Sequence, residues 1–276
     1  MNKVWFVTGS SRGLGRALAE EVLKQGHKLF ATARKPEQLA ELVQQYPGQV
    51  EAFALDVTHK EQVQAAVQKA VEVFGRIDVL VNNAGYGNIA SIEEVTEDDL
   101  RAQIETNLFG VINVTQAVLP VMRKQRAGHI LQISSIGGRI GSPGLGAYQT
   151  AKWAVEGFSE VLTEEVKPLG IKVTIIEPSG FRTDWAGSSI SYQEPMEDYQ
   201  ATVGNMHELL RQGSGKQDGD PVRAAQAMIA ITAEPSPPLR LLLGKTAVQM
   251  AKQADQAKLA ETEKWEALSV SADFPE

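Results

Sequence analysis

Seven short, largely apolar runs recur along the chain: Val4–Val7, Leu29–Ala33, Val50–Leu55, Val79–Val81, Ile130–Ile133, Val173–Ile176 and Leu239–Leu243. A strand with one wet face alternates apolar and polar residues. These runs do not, so they read as strands covered on both faces. Between them lie longer stretches with helical patterning. Thr58 with Glu61 reads as a capping box, Asp220–Pro221 as an N-cap followed by proline in the first turn, and Gly26 as the stop of the first helix. Strand and helix in alternation imply parallel strands joined by crossovers. The expected fold class is α/β, a doubly wound parallel sheet flanked by helices. No Ser/Gly-rich or Pro-rich stretch breaks the alternation, so one domain is expected over 1–276.

Composition narrows the chemistry. The 276 residues are 43% hydrophobic and carry a net charge of −7, with no long basic run, so a nucleic-acid or anionic-membrane surface is not expected. There are no cysteines, which excludes disulfides, thiol nucleophiles and thiolate metal sites. The four His show no metal-ligand spacing, and no metal is expected. The apolar run Val4–Val7 is too short for a signal peptide, and no stretch approaches the roughly 18 apolar residues of a membrane span. A soluble, cytoplasmic protein is expected.

The first strand runs directly into TGSSRGLG and then a helix. Gly9, Gly13 and Gly15 permit a tight turn there, and with Ser11, Arg12 and Leu14 they bring backbone N–H groups and a positive helix end toward a pyrophosphate. The second strand ends in Ala33, Arg34 and Lys35, with no acid to take a ribose diol. Arg12 and Arg34 suit a 2′-phosphate, so NADP(H) is expected over NAD.

Residues 147–157 read AYQTAKWAVEG, with Tyr148 four places before Lys152. On a helix that spacing stacks the phenol and the amine on one face. Five Tyr and fifteen Lys give roughly 0.3 such pairs by chance, so the pair alone decides little. Residues 185–218 are irregular and hold Trp185, Tyr192, Met196, Tyr199 and Met206 among Ser, Gly and Gln. They read either as a substrate lid with an apolar inner face or as an insertion packed on the body.

TGSSRGLG, the NNAG at Asn82–Gly85, the ISS ending at Ser135 and YQTAK at Tyr148–Lys152 together resemble the short-chain dehydrogenases/reductases. The likeness is strong over 3–184 and looser through the last strand and a helical tail at 245–276. It implies a single-domain, Rossmann-like seven-stranded sheet and a catalytic set of Asn107, Ser135, Tyr148 and Lys152. It also implies adenine contacts at Asp56 and Val57, and a cofactor border at Asn83, Ala84 and Gly85. Pro178, Gly180, Phe181 and Thr183 would wrap the nicotinamide amide. Ser179 departs from the glycine many members carry there. The long tail resembles the branch containing 17β-hydroxysteroid and retinol dehydrogenases.

Reducing a carbonyl takes a hydride on carbon and a proton on oxygen, with donors aimed at the developing alkoxide. Ser135 can polarise the carbonyl and Tyr148 can supply the proton. A free phenol titrates near 10, too high for fast exchange at neutral pH. An ammonium about 4 Å away is worth up to ~4 kcal/mol at an effective dielectric of ~20, so Lys152 is expected to lower the Tyr148 pKa. Asn107 would hold a proton-relay water. The expected function is NADPH-dependent, reversible reduction of a ketone or aldehyde. Tyr86, Ile136, Ile140, Phe181 and Trp185 are expected to line the site for a bulky apolar substrate. Two alternatives remain open: a β-ketoacyl thioester reductase, whose acidic carrier only Arg139 and Arg182 could dock, and a non-catalytic NADPH sensor. Apolar residues on several faces of 98–126 and 147–167 suggest a homodimer or homotetramer.

Overall fold

The computed structural model describes residues 2–183, 185 and 190–274. Strand β1 (Val4–Val7) is followed by α1 (Gly13–Lys24), β2 (Lys28–Ala33), α2 (Ala40–Gln45), β3 (Val50–Ala54), α3 (Lys60–Phe74) and β4 (Val79–Asn82). A short β5 (Gly87–Ile89) then leads to α4 (Glu97–Ile104), a π-helical turn (Glu105–Phe109) and α5 (Gly110–Gln125). Next come β6 (Gly128–Ile133), α6 (Gly146–Val166), β7 (Ile171–Pro178), β8 (Ile190–Tyr192), α7 (Asn205–Gly213), α8 (Pro221–Ile231), β9 (Arg240–Leu243) and α9 (Lys245–Val270).

Seven strands form one parallel sheet in the order β3-β2-β1-β4-β6-β7-β9. These are the seven runs read from the sequence, with ends moved by at most two residues. Both faces of the sheet are covered. Trp5 and Val7 pack toward α1, α2 and α8, while Phe6 between them points the other way, toward α3 and α5. Phe6 stacks on Phe30 at 5.1 Å between ring centroids. Chain order reverses direction across the sheet between β1 and β4, which makes their carboxyl ends the switch point where such sheets bind ligands.

Local signals were read with mixed success. Gly26 has φ +78 just past α1, and Asp220 caps α8 by accepting from Val222 N at 2.8 Å. The capping box expected at Thr58 and Glu61 does not form. His59 holds the N-cap position of α3, and the Thr58 hydroxyl donates to Asp56 at 2.7 Å instead. Thr96 caps α4, accepting from Asp99 N at 3.1 Å. β5 and β8 pair in parallel as a separate two-stranded sheet that the sequence reading missed. Three residues carry too little periodicity to mark a strand. No helix among the described residues is long and apolar enough to cross a membrane.

Gly110 joins the π-helical turn to α5, where a Cβ would lie 2.5 Å from Val57 Cγ2 and 3.1 Å from Val57 Cβ. In a free helix Gly→Ala stabilises by ~1 kcal/mol. Here the β-branched neighbour cannot rotate away. Gly110→Ala is therefore expected to destabilise the protein by ~1–3 kcal/mol, measured by urea unfolding.

Candidate active site

The switch point is held together by Thr8 and Asn83. Thr8 Oγ1 accepts from Asn83 N at 2.9 Å and Ala84 N at 3.0 Å, tying the end of β4 to the end of β1. Asn83 Nδ2 donates back to Thr8 O at 2.9 Å and Gly9 O at 3.0 Å. The glycine loop is shaped for backbone approach. Gly9 and Gly13 have φ of +68 and +57, where a side chain is strained. A Cβ on Gly15 would collide with Gly9 O and the Asn83 amide. No acid occupies the first turn of α1, so its positive end faces the loop uncompensated. Leu14 packs on the core beside the loop, Ser11 is half-buried and Arg12 is exposed. Thr183 comes across from the end of β7, its Cβ 3.6 Å from where a Gly13 Cβ would sit.

The remaining coenzyme-side candidates border the same crevice. Arg34 stands exposed past the end of β2 and helps hold Asp56 ionised. Burial pushes that carboxyl up, but hydrogen bonds from Thr58 outweigh it and the net shift is downward. Val57 packs on Gly110 and gives its carbonyl to Asn113 Nδ2 at 3.1 Å. Pro178 ends β7, and Gly180 O accepts from Gly219 N at 3.2 Å. Despite its departure from the family glycine, Ser179 leaves the strand in register, donating its N–H to Leu243 O at 3.3 Å.

Four elements bring the polar set together. Ser135 follows β6, with Oγ accepting from Gly137 N at 3.0 Å, which leaves its proton for the hydrogen bond it makes with Tyr148. Tyr148 and Lys152 lie one turn apart on α6, and the amine sits 5.6 Å from the phenol ring centroid. Lys152 Nζ donates to Ile133 O at 2.8 Å. Asn107 lies inside the π-helical turn. Its Nδ2 donates to Tyr86 O at 3.0 Å and Gln103 O at 3.1 Å, and its Oδ1 accepts from Tyr86 N at 3.2 Å. Both amide protons thus fall on carbonyls, so the side chain clamps the NNAG turn to the widened helix turn. Gly85 is forced small by this packing, since a Cβ there would lie 2.5 Å from Asn107 Oδ1 and 3.8 Å from Lys152 Nζ.

The electrostatics differ from expectation in sign. Burial pushes the Tyr148 phenol up to about 12, with the Ser135 hydrogen bond pulling weakly down. Burial likewise lowers the Lys152 amine to about 8, and Glu156 opposes that shift. Tyr148 is 7% exposed and Lys152 5%. Desolvation is the largest influence on both groups.

The expected substrate face is partly redrawn. Tyr148 packs with Ile89, Leu145, Ile190, Val203 and Trp185, so the β5–β8 ribbon and the segment after it roof the phenol. Trp185 tilts over Tyr148 at 5.4 Å between centroids, and Tyr192 and Tyr199 join the cluster. Met196, expected on an inner face, is exposed. Ile136 and Ile140 pack instead under α9 with Ala247, Met250 and Ala251. The Phe181 ring packs on the core beside Gly219. Tyr86 lies outside the aromatic cluster, and its hydroxyl meets Thr106. Of the expected lid and tail, 186–189 and 275–276 lie outside the described residues.

A parallel sheet with a glycine loop at its switch point, beside a hydrogen-bonded Ser–Tyr pair and a buried lysine, defines the dinucleotide-dependent α/β oxidoreductases as a class. The short chain dehydrogenase family model matches residues 3–194, and the chain belongs to the short-chain dehydrogenase/reductase family. It is 53% identical over 274 residues to oxidoreductase BOA17 of Botryotinia fuckeliana, covering 99% of this chain and 100% of that one. A short-chain dehydrogenase crystal structure from Streptomyces avermitilis superposes with a TM-score of 0.94 at 40% identity, covering 99% of this chain and 98% of that one. An alcohol dehydrogenase from Thermococcus sibiricus complexed with 5-hydroxy-NADP superposes with a TM-score of 0.73 at 28% identity, covering 88% and 96%. The protein is thus an oxidoreductase enzyme acting on alcohol or carbonyl groups.

Sequence reasoning missed Thr8, whose role depends on a strand far away in the chain. It also missed the buried Glu156 and Glu177 and the half-buried Arg240 that pairs with both. From the packing at Gly85, Gly85→Ala is expected to displace Asn107 and cut turnover at least tenfold while leaving the far-UV circular dichroism unchanged, a fold-change equal to ~1.4 kcal/mol of lost transition-state stabilisation.

Proposed function

We propose that the protein is an NADPH-dependent carbonyl reductase, reversible as an alcohol dehydrogenase, for bulky apolar ketones or aldehydes. The observation that carries the reading is the Ser135–Tyr148 hydrogen bond with the Lys152 amine against the same ring, beside the glycine loop. When bound, NADPH supplies the hydride. The loop of Gly9, Ser11, Arg12, Gly13, Leu14 and Gly15 suits its pyrophosphate, and its geometry supports that fit through positive φ at two glycines. Arg12 and Arg34 suit a 2′-phosphate.

Burial keeps the phenol protonated, and the Lys152 ammonium, with the positive charge of oxidised nicotinamide when bound, would favour the phenolate. Ser135 donates to the carbonyl oxygen, and Tyr148 passes its proton to that oxygen as the alkoxide forms. Lys152 as an ammonium stabilises the phenolate left behind. Asn107 keeps the Tyr86 backbone and the widened helix turn in register. Trp185 and the β5–β8 roof exclude water and offer apolar contact to the substrate, in keeping with the hydroxysteroid- and retinol-dehydrogenase-like branch. For the carrier-docking alternative, Arg139 is paired with Glu177 and Asp255, while Arg182 donates only Nε to Gln217 O, at 2.6 Å. We read the chain as one cytoplasmic domain that self-associates through the π-helical turn with α5, and through α6, where Phe109, Trp153 and Val161 are exposed.

The test is loss of NADPH absorbance against a panel of ketones, aldehydes, steroids and acyl thioesters. Tyr148→Phe is expected to abolish turnover and leave NADPH affinity within about twofold; residual turnover with weakened binding overturns the role. Arg34→Ala should raise KM for NADPH tenfold or more if it contributes the ~1.5–3 kcal/mol of a charged hydrogen bond. An unchanged NADPH/NADH preference in the Arg12→Ala, Arg34→Ala double variant overturns the coenzyme assignment.

A further inference from the structure

Behind the site runs a chain of buried charges that the reaction as described does not use. Glu156 lies on α6 one turn beyond Lys152 and is buried. Its Oε2 accepts from Arg240 Nε at 3.0 Å, while its Oε1 and the nearby Ser134 hydroxyl are buried without a hydrogen-bond partner among the described residues. Arg240, on the edge strand β9, reaches Glu177 at 3.2 Å and Glu160 as well. Glu177 is 0% exposed and takes both oxygens of its carboxylate to Arg139 Nε, at 2.9 and 3.0 Å. Arg139 in turn binds Asp255 of α9 at 3.0 Å, and Lys258 Nζ donates to its carbonyl at 3.1 Å. Gly138 is kept small by this cluster, since a Cβ would lie 3.0 Å from Glu156 Cγ and Oε1.

Among the described residues this cluster sets four carboxylates against two guanidiniums. The surplus is negative, and its member Glu156 lies on α6 one turn beyond Lys152, buried like it. We propose that Glu156 is a positioning residue for Lys152: a carboxylate held by Arg240 one helical turn past the amine, keeping that amine in its ammonium form. The inference rests on the reading of Lys152 as part of the reducing site. An isolated buried ammonium tends to shed its proton, and a fixed carboxylate on the same helix face opposes that loss. The groups facing Glu156 are Lys152 and Glu160 on α6, Ser134 after β6, Glu177 on β7 and Arg240 on β9. Arg139 and Asp255 act one step further along the chain of pairs. Burial first, and Glu177 after it, push Glu156 up to about 7. Its influence on Lys152 is therefore itself switched off in acid.

The test labels lysine ε-carbons with carbon-13 and follows the Lys152 resonance, assigned by its loss in Lys152→Arg, as a function of pH. Glu156→Gln is expected to lower the Lys152 midpoint by ~1 pH unit. Arg240→Gln, which leaves the carboxylate easier to protonate, shifts it the same way by less and decides the matter if Glu156→Gln does not fold. Glu160→Gln, at the exposed end of the same guanidinium, leaves it in place. In NADPH oxidation, wild type and Glu156→Gln should converge below about pH 6, where the wild-type carboxyl is protonated and as neutral as the glutamine, and separate above about pH 7. Identical midpoints, an equal shift in Glu160→Gln, or one uniform rate loss at all pH values overturns the proposal. Full turnover in Lys152→Arg overturns the reading of the site instead, while the midpoints still decide the role of Glu156.

Discussion

The hydroxyl of Thr8 joins two strand ends that are far apart in the chain, and the site is built outward from that junction. A parallel sheet buried on both faces leaves the backbone groups of its inner strands unpaired only where those strands end. At the switch point between β1 and β4 those groups would splay apart. Thr8 and Asn83 satisfy them reciprocally, with four bonds of 2.9–3.0 Å. The same contact presses Asn83 against Gly15, which is why a side chain cannot stand there. It also sends the NNAG turn under Asn107, so the nucleotide crevice and the reacting hydroxyls share one support.

Desolvation is the second theme. Tyr148 and Lys152 are both buried, and each is pushed toward its neutral form, to about 12 and about 8. Two neutralising shifts on adjacent groups leave the pair responsive to any added charge. A cation arriving above the phenol favours phenolate, and the carboxylate behind the amine favours ammonium. In the proposed reaction, proton transfer would be governed by charges that come and go around a fixed, dry pair. The roof of β5, β8 and Trp185 maintains that dryness.

The tail has a structural role that composition did not disclose. α9 covers Ile136 and Ile140 with its small residues Ala247 and Ala251, and Asp255 fastens Arg139. The loop carrying Ser135 is thereby braced from outside the sheet. Ile136 and Ile140, read from the sequence as substrate-side residues, thus also brace this loop.

Strand positions, the glycine loop, the caps at Gly26 and Asp220, and the Tyr148–Lys152 face were all readable from residue order, because each depends on neighbours within a few positions or on burial of a continuous apolar run. Thr58 was misread because its hydroxyl found Asp56, two residues back, before the helix could use it. The Thr8–Asn83 junction, the β5–β8 ribbon, the burial of Glu177 and the side chosen by Ile136 and Phe181 were not readable. Each is settled by a partner that is distant in the chain and adjacent only once the sheet has closed. The sign of the Tyr148 shift belongs to the same group: spacing supplies the attraction of the amine, but desolvation depends on everything packed around the phenol, and that exists only in the folded protein.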